Sequence, residues 1–211
     1  MLEQVKQRAL RLDFIQNWFR SQRGWPVISK GPAGARILVV NPHWDDEILA
    51  CYGTLYPARE RVTLVCVDER GNNPQMKRPY REIDRIDGDY DTVFLPAPWD
   101  DHPQHVQASR IPVPDDVEVW CFQVYAPICT NTVVDITTVL AEKYAMLERM
   151  GAHLPEQRDW QHCALGRDAY SARHLHRKDK RYAELFMVLK GNEHKLFREE
   201  FFRCCKESNG K

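Results

Sequence analysis

RILVVNPHWDDEILACYGTLYPARERVTLVCV (36–67) is the stretch whose reading decides the fold. ILVVN (37–41) is a short β-branched apolar run without polar alternation, the pattern of a strand buried on both faces. DDEILACYGTLYPARE (45–60) reads as one helix with acidic residues in its first turn, and RVTLVCV (61–67) as a second buried strand. Strand, helix, strand is the repeating unit of a parallel sheet. Working outward, YDTVFLP (90–96) and VEVWCFQVY (117–125) read as further strands, and YREIDRI (80–86), TTVLAEKYAMLERM (137–150) and roughly 168–190 as helices. APWDDHPQH (97–105) is a proline-punctuated loop, residues 2–20 form a basic amphipathic helix, and 191–211 is a polar tail. The expectation is one α/β domain over 1–211 with a largely parallel sheet and a core at about 36–189.

The chain has 211 residues, and a single domain runs to roughly 200–250. Lys plus Arg and Asp plus Glu are 30 each, a balance that argues against a protein built to coat nucleic acid. Apolar residues make up 43%, enough for a packed core and too many for a disordered chain. No apolar run approaches the ~20 residues of a membrane-spanning helix, and no signal-peptide core opens the chain, so a cytoplasmic protein is expected. The 7 cysteines are odd in number and include no CxxC pair, which points to reduced thiols.

Open α/β sheets bind ligands beyond the carboxyl ends of their strands. The first strand of the quoted stretch delivers Pro42-His43-Trp44-Asp45-Asp46-Glu47 there, with no glycine-rich dinucleotide turn after it. His43 and Asp46, with Asp45 between them, look like half of a metal site, because imidazole and carboxylate are ordinary zinc ligands. The 90–96 strand leads to Asp100-Asp101-His102-Pro103-Gln104-His105, which can supply a third ligand and a histidine for acid–base work. The plainer alternatives are that Asp45 and Asp46 cap a helix and that His102 and His105 are surface residues.

PHWDDEILACYGTL (42–55) resembles the PHPDDE…GGTL signature of the PIG-L/LmbE zinc-dependent de-N-acetylases, and WDDHPQH (99–105) resembles their HPDH element. VYAPICTNTVVDIT (124–137) with Lys143, and RYAELF (181–186), resemble later segments of the same family. The resemblance implies a Rossmann-like three-layer sandwich. It also implies a zinc ion, or another divalent metal, held by His43, Asp46 and His105, with Asp45 as general base and His102 as acid or oxyanion stabiliser. The implied reaction removes an acetyl group from an N-acetylated amino sugar, free or lipid-linked.

The departures are Trp44 for a proline and Tyr52 for a glycine, both adding bulk near the metal, and Gln104 for an acid, which should lower the pKa of His102. Relatives place a substrate-contacting arginine where Arg78 and Arg81 fall, although a surface ion pair with Glu82 or Asp84 is the alternative. Trp44, Trp99 and Tyr125 can stack on sugar faces or simply pack. Asp135 is expected to cap the helix near Thr137. The rival to an enzyme is a glycan- or partner-binding module that kept the fold, and a metal hydrolase of another amide or ester is a third reading. The basic N-terminal helix would suit membrane contact, though docking on the domain explains it equally well.

Overall fold

The computed structural model describes residues 26–67, 83, 85–86, 88–100, 102–124, 130–153 and 158–208. The N-terminal helix expected at 2–20 lies outside them, as do most of the helix expected at 80–86 and residues Arg78, Arg81, Asp101 and Tyr125. The strands are β1 (Val27–Ser29), β2 (Ile37–Asn41), β3 (Val62–Cys66), β4 (Thr92–Pro96), β5 (Glu118–Phe122), β6 (Thr132–Asp135) and β7 (Ala183–Lys190). The helices are α1 (Asp46–Ala50), α2 (Tyr52–Leu55), α3 (Pro103–Ala108), α4 (Leu140–His153), α5 (Arg158–Ser171) and α6 (Gly191–Ser208).

The strands form one sheet in the order β1-β6-β7-β5-β4-β2-β3. Pairings β1–β6, β2–β3, β2–β4 and β4–β5 are parallel, while β7 runs antiparallel to β5 and β6. Every residue of β2 and β4 is buried, which is why neither shows polar alternation. Ile37 and Val39 face one apolar cluster with Ala50, Leu55 and Phe94, while Leu38 and Val40 face another with Ile111, Val119 and Met187. Helices therefore cover both faces, in the Rossmann-like α/β arrangement. No helix among the described residues is long and apolar enough to cross a membrane. Cys51, Cys66, Cys121 and Cys163 are free thiols.

α3 begins inside the loop expected at 97–105 and α5 starts ten residues before the helix expected from roughly 168, and three further differences bear on the packing. Residues 183–190, expected to be helical, form β7. Ala, Glu, Leu, Met and Lys favour helix locally, but between two strands AELFMVLK is buried on both faces and tertiary pairing prevails. Residues 191–208, expected to be a polar tail, form α6. His194, Phe197 and Phe201 make its packing stripe among many charges. A Cβ at Gly191 would run into the Pro114 carbonyl, so glycine permits the turn from β7 into α6.

The third difference is the helix expected at 45–60, which breaks at Cys51 into α1, α2 and a 3-10 turn, Tyr56–Arg61. An unbroken helix would pair Gly53 N–H with the Leu49 carbonyl. Instead, Gly53 and Thr54 donate their N–H groups to Glu184 at 3.0 and 2.8 Å. The Leu49 carbonyl accepts from Lys143 Nζ at 3.2 Å and from Arg167. Lys143 Nζ also lies 2.6 Å from both Glu184 and Asp168, and all three residues are buried. Burial opposes the Lys143 charge, but Asp168 and Glu184 hold its pKa above the ordinary lysine value. At Gly53 a side chain would strike Ile136 at 2.8 Å, so the break also brings α2 close beneath the end of β6.

This packing makes two stability predictions. Lys143→Met leaves buried Glu184 without its cation and Asp168 with Arg167 alone, and lowers stability by about 3–5 kcal/mol, read from the urea unfolding midpoint. His194, 1% exposed, has its pKa pushed from 6.5 down to about 4, by burial first and then by Arg198. The unfolded chain takes up this proton near pH 6.5 and the folded chain only near 4. Stability is therefore full above that interval and falls by about 3 kcal/mol as the pH drops through it. His194→Leu should flatten this acid limb in a series of urea titrations between pH 7 and pH 4.

Candidate functional site

β2 and β4 are neighbours in register, with Ile37 opposite Thr92 and Val39 opposite Phe94, so their carboxyl ends open side by side. After β2, Asn41 Nδ2 donates to Glu47 Oε2 at 2.6 Å and ties the strand end to α1. That closure holds His43, Asp45 and Asp46 in a tight turn. After β4, Asp100 Oδ1 accepts the His102 N–H at 3.1 Å, and His102 becomes the N-cap of α3. Pro103 in the first turn suits a helix start, and one turn later His105 points inward, fully buried.

The two segments converge. His43 Nδ1 lies 3.2 Å from His105 Nε2 and 3.3 Å from Asp46 Oδ2, and His105 Nε2 lies 3.3 Å from Asp46 Oδ1. Asp46 is 1% exposed and also accepts the His43 backbone N–H at 2.7 Å. The outer nitrogens have their own partners: His43 Nε2 meets Gln104 Oε1 at 2.6 Å, and His105 Nδ1 meets Asp100 Oδ2 at 3.1 Å. Each outer partner is an oxygen, which keeps a proton on the outer nitrogen of each ring and turns the inner nitrogen toward Asp46.

His43, His102 and His105 each offer an atom within 4.8 Å of the others and could together hold a metal ion. His102 differs from the other two, however. Its Nδ1 accepts the Gln104 backbone N–H at 3.3 Å, which places its ring proton on Nε2. His43, Asp46 and His105 are the set whose facing atoms lie 3.2–3.3 Å apart.

Asp45 is 8% exposed, and although it precedes α1 its side chain makes no cap hydrogen bond, so helix capping does not occupy it. Burial, then the charge of Asp46, raises its pKa to about 6. Burial also works against the charges on Asp46 and His105. Hydrogen bonds from His105 and His43 nevertheless hold Asp46 below the ordinary carboxylate range, and bonds to Asp100 and Asp46 hold His105 up at about 9. His102 is lowered by burial and by the neighbouring His43 and His105. That is the direction expected from the sequence, but the Gln104 side chain acts on His43 instead.

Trp44 packs against the cluster of Ile48, Leu49, Leu147 and Met150, and Trp99 packs edge-on against Phe197 and Phe201 of α6 at 5.2 and 6.1 Å. Tyr52, expected near the metal, instead meets Tyr56 at 5.8 Å in a hollow of about 130 Å³ that no histidine lines. Asp135 caps as expected, accepting the Thr137 N–H at 2.9 Å. Asp100 is the residue that sequence reasoning left without a role. Its one signal was an acid five positions before His105, beside a second acid that carries the same signal.

The backbone is similar to solved structures of low sequence identity. A conserved protein from Thermus thermophilus aligns with TM-score 0.56 and 18% identity over 72% of this chain and 94% of that one. The N,N'-diacetylchitobiose deacetylase of Pyrococcus horikoshii, complexed with its inhibitor, aligns with TM-score 0.54 and 16% identity over 75% and 85%. The 4-carboxy-2-hydroxymuconate hydratase of Pseudomonas putida aligns with TM-score 0.52 and 18% identity over 73% and 96%. No protein-family model matches the chain, and no curated protein matches it in sequence. A deacetylase and a hydratase share this fold, so the site, and not the fold, must carry the argument for function.

The position of Asp100 makes a measurable prediction. In the metal-free protein, Asp100→Ala should bring the His105 pKa down from about 9 toward or below the ordinary histidine value, followed by NMR titration of the imidazole.

Proposed function

We propose that the protein is a metal-dependent hydrolase of the PIG-L/LmbE type that removes the acetyl group from an N-acetylated amino sugar or its glycoconjugate. The observation that carries the reading is the convergence of His43 Nδ1 and His105 Nε2, 3.2 Å apart, on the Asp46 carboxylate, whose Oδ2 and Oδ1 lie 3.3 Å from the first and the second respectively. Ligands about 2.0–2.1 Å from a tetrahedral zinc stand about 3.3–3.4 Å apart, and three protein ligands with an open fourth position are the pattern of a catalytic zinc. The donors fit the group: two imidazoles whose inner nitrogens face a shared centre, each with an oxygen at its outer nitrogen, and one buried carboxylate. A zinc or other divalent ion held there supplies a Lewis acid that makes water and an amide carbonyl reactive near neutral pH.

Asp45, beside the ligands and without a capping role, takes the proton of the attacking water as its oxygen bonds to the acetyl carbon. His102, its ring proton on Nε2, would hydrogen-bond to the charge that develops on the carbonyl oxygen, and the proton taken up by Asp45 passes to the departing amine. The amide C–N bond breaks, and acetate and the free amino sugar leave. The acetylated-sugar substrate rests on the sequence resemblance and on the deacetylase among the structural neighbours.

Elemental analysis beside an acetate-release assay on a panel of N-acetylhexosamine conjugates tests the roles separately. Wild type should hold one divalent ion per chain. Asp45→Asn should keep the ion and lose turnover by about 10²–10⁴-fold, whereas Asp46→Asn and His105→Ala should lose both. Equal metal loss in all three variants would overturn the division of roles. Saturable sugar binding without acetate release would favour the binding module instead.

A further inference from the structure

The two inner-facing imidazoles are backed by unlike partners. Behind His105 stands the Asp100 carboxylate, buried and 3.1 Å from Nδ1; behind His43 stands the neutral amide oxygen of Gln104, 2.6 Å from Nε2. A carboxylate and an amide oxygen both keep the proton on the outer nitrogen, but a carboxylate adds negative charge that strengthens the inner lone pair. An amide can also rotate end for end. With its nitrogen turned toward His43, it would donate to Nε2 and force the proton onto Nδ1, which faces Asp46 and His105. That arrangement closes the cluster without any metal, through an N–H donated from His43 to Asp46, a pair already only 3.3 Å apart.

We infer that Gln104 is a positioning residue: its amide sets which nitrogen of His43 carries the proton, and so sets how tightly the cluster binds a divalent cation. The inference rests on the assignment of His43, Asp46 and His105 as ligands. Gln104 touches neither water nor substrate in this role; it acts through His43. The same α3 turn thereby serves three functions, because the Gln104 backbone N–H also fixes the proton of His102, and His105 follows one residue later.

Zinc affinity of the metal-stripped protein, measured by competition with a chromophoric chelator, tests this on wild type, Gln104→Glu and Gln104→Met. The carboxylate variant should bind zinc at least about tenfold more tightly than wild type. The apolar variant of similar size should bind about 10–100-fold more weakly, with the thermal midpoints of the metal-free proteins unchanged. Nitrogen NMR of histidine-labelled, metal-free protein provides the readout that a packing role would not move. His43 should shift toward the Nε2–H form in Gln104→Glu and lose that preference in Gln104→Met. Equal affinities in the three proteins, or losses in both variants, would overturn the role of Gln104 while leaving the metal site standing. A wild type that binds no zinc would overturn the metal site and this inference together.

Discussion

A lysine with no contact to water holds the molecule together. Lys143 reaches from α4 between Glu184 of β7 and Asp168 of α5, and the three meet at the point where the chain interrupts the helix that follows β2. Breaking a helix in a protein interior strands peptide groups that water cannot reach, and each must find another partner. Here the carboxylate takes the stranded N–H groups, and the ammonium and Arg167 take the stranded carbonyl. Two cations and two anions close the cluster without net charge. It joins β7, α1, α2, α4 and α5, so the turn that carries His43, Asp45 and Asp46 is anchored by residues far along the chain.

The site repeats that logic on a smaller scale. Each imidazole is held at its outer edge so that its inner edge faces a shared centre. Asp46 sits where two such edges meet, with the His43 backbone N–H and two rings around it. Two ring nitrogens and both oxygens of a carboxylate, this close together and buried, call for a positive charge among them. A proton on His105 meets that demand in the metal-free protein, and a divalent cation at the proposed site would meet it in its place.

The parts of this design that were legible in the sequence are those set by local pattern. The unbroken apolar runs of β2 and β4 reflect burial on both faces, and the acids of Asp45-Asp46-Glu47 and the histidines His102 and His105 stand at strand ends, where ligands gather. What escaped was set by distant partners. β7 has a helix-former's composition and becomes a strand because β5 and β6 leave a gap of its width. The break at Cys51 has no local signal, since its cause is Glu184. α6 hides its aromatic stripe among charges, and Asp100 is indistinguishable from its neighbour until the fold selects one of them. Gln104 was singled out for its effect on His102, whereas its side chain meets His43, a contact across 61 positions.

The route of α6 has a consequence for how the protein comes into being. β7 runs back against its neighbours and hands the chain to α6, whose Phe197 and Phe201 brace Trp99, while Arg198 holds the Arg110 and Ile111 carbonyls just past α3. The His102–His105 turn lies between those two contacts. A growing polypeptide that has left the ribosome only as far as β6 has made both halves of the histidine cluster and lacks Glu184 beneath the first half and the aromatic brace beside the second. The spacing of the cluster thus depends on chain well downstream of both its halves, and is acquired only once β7 and α6 have been made.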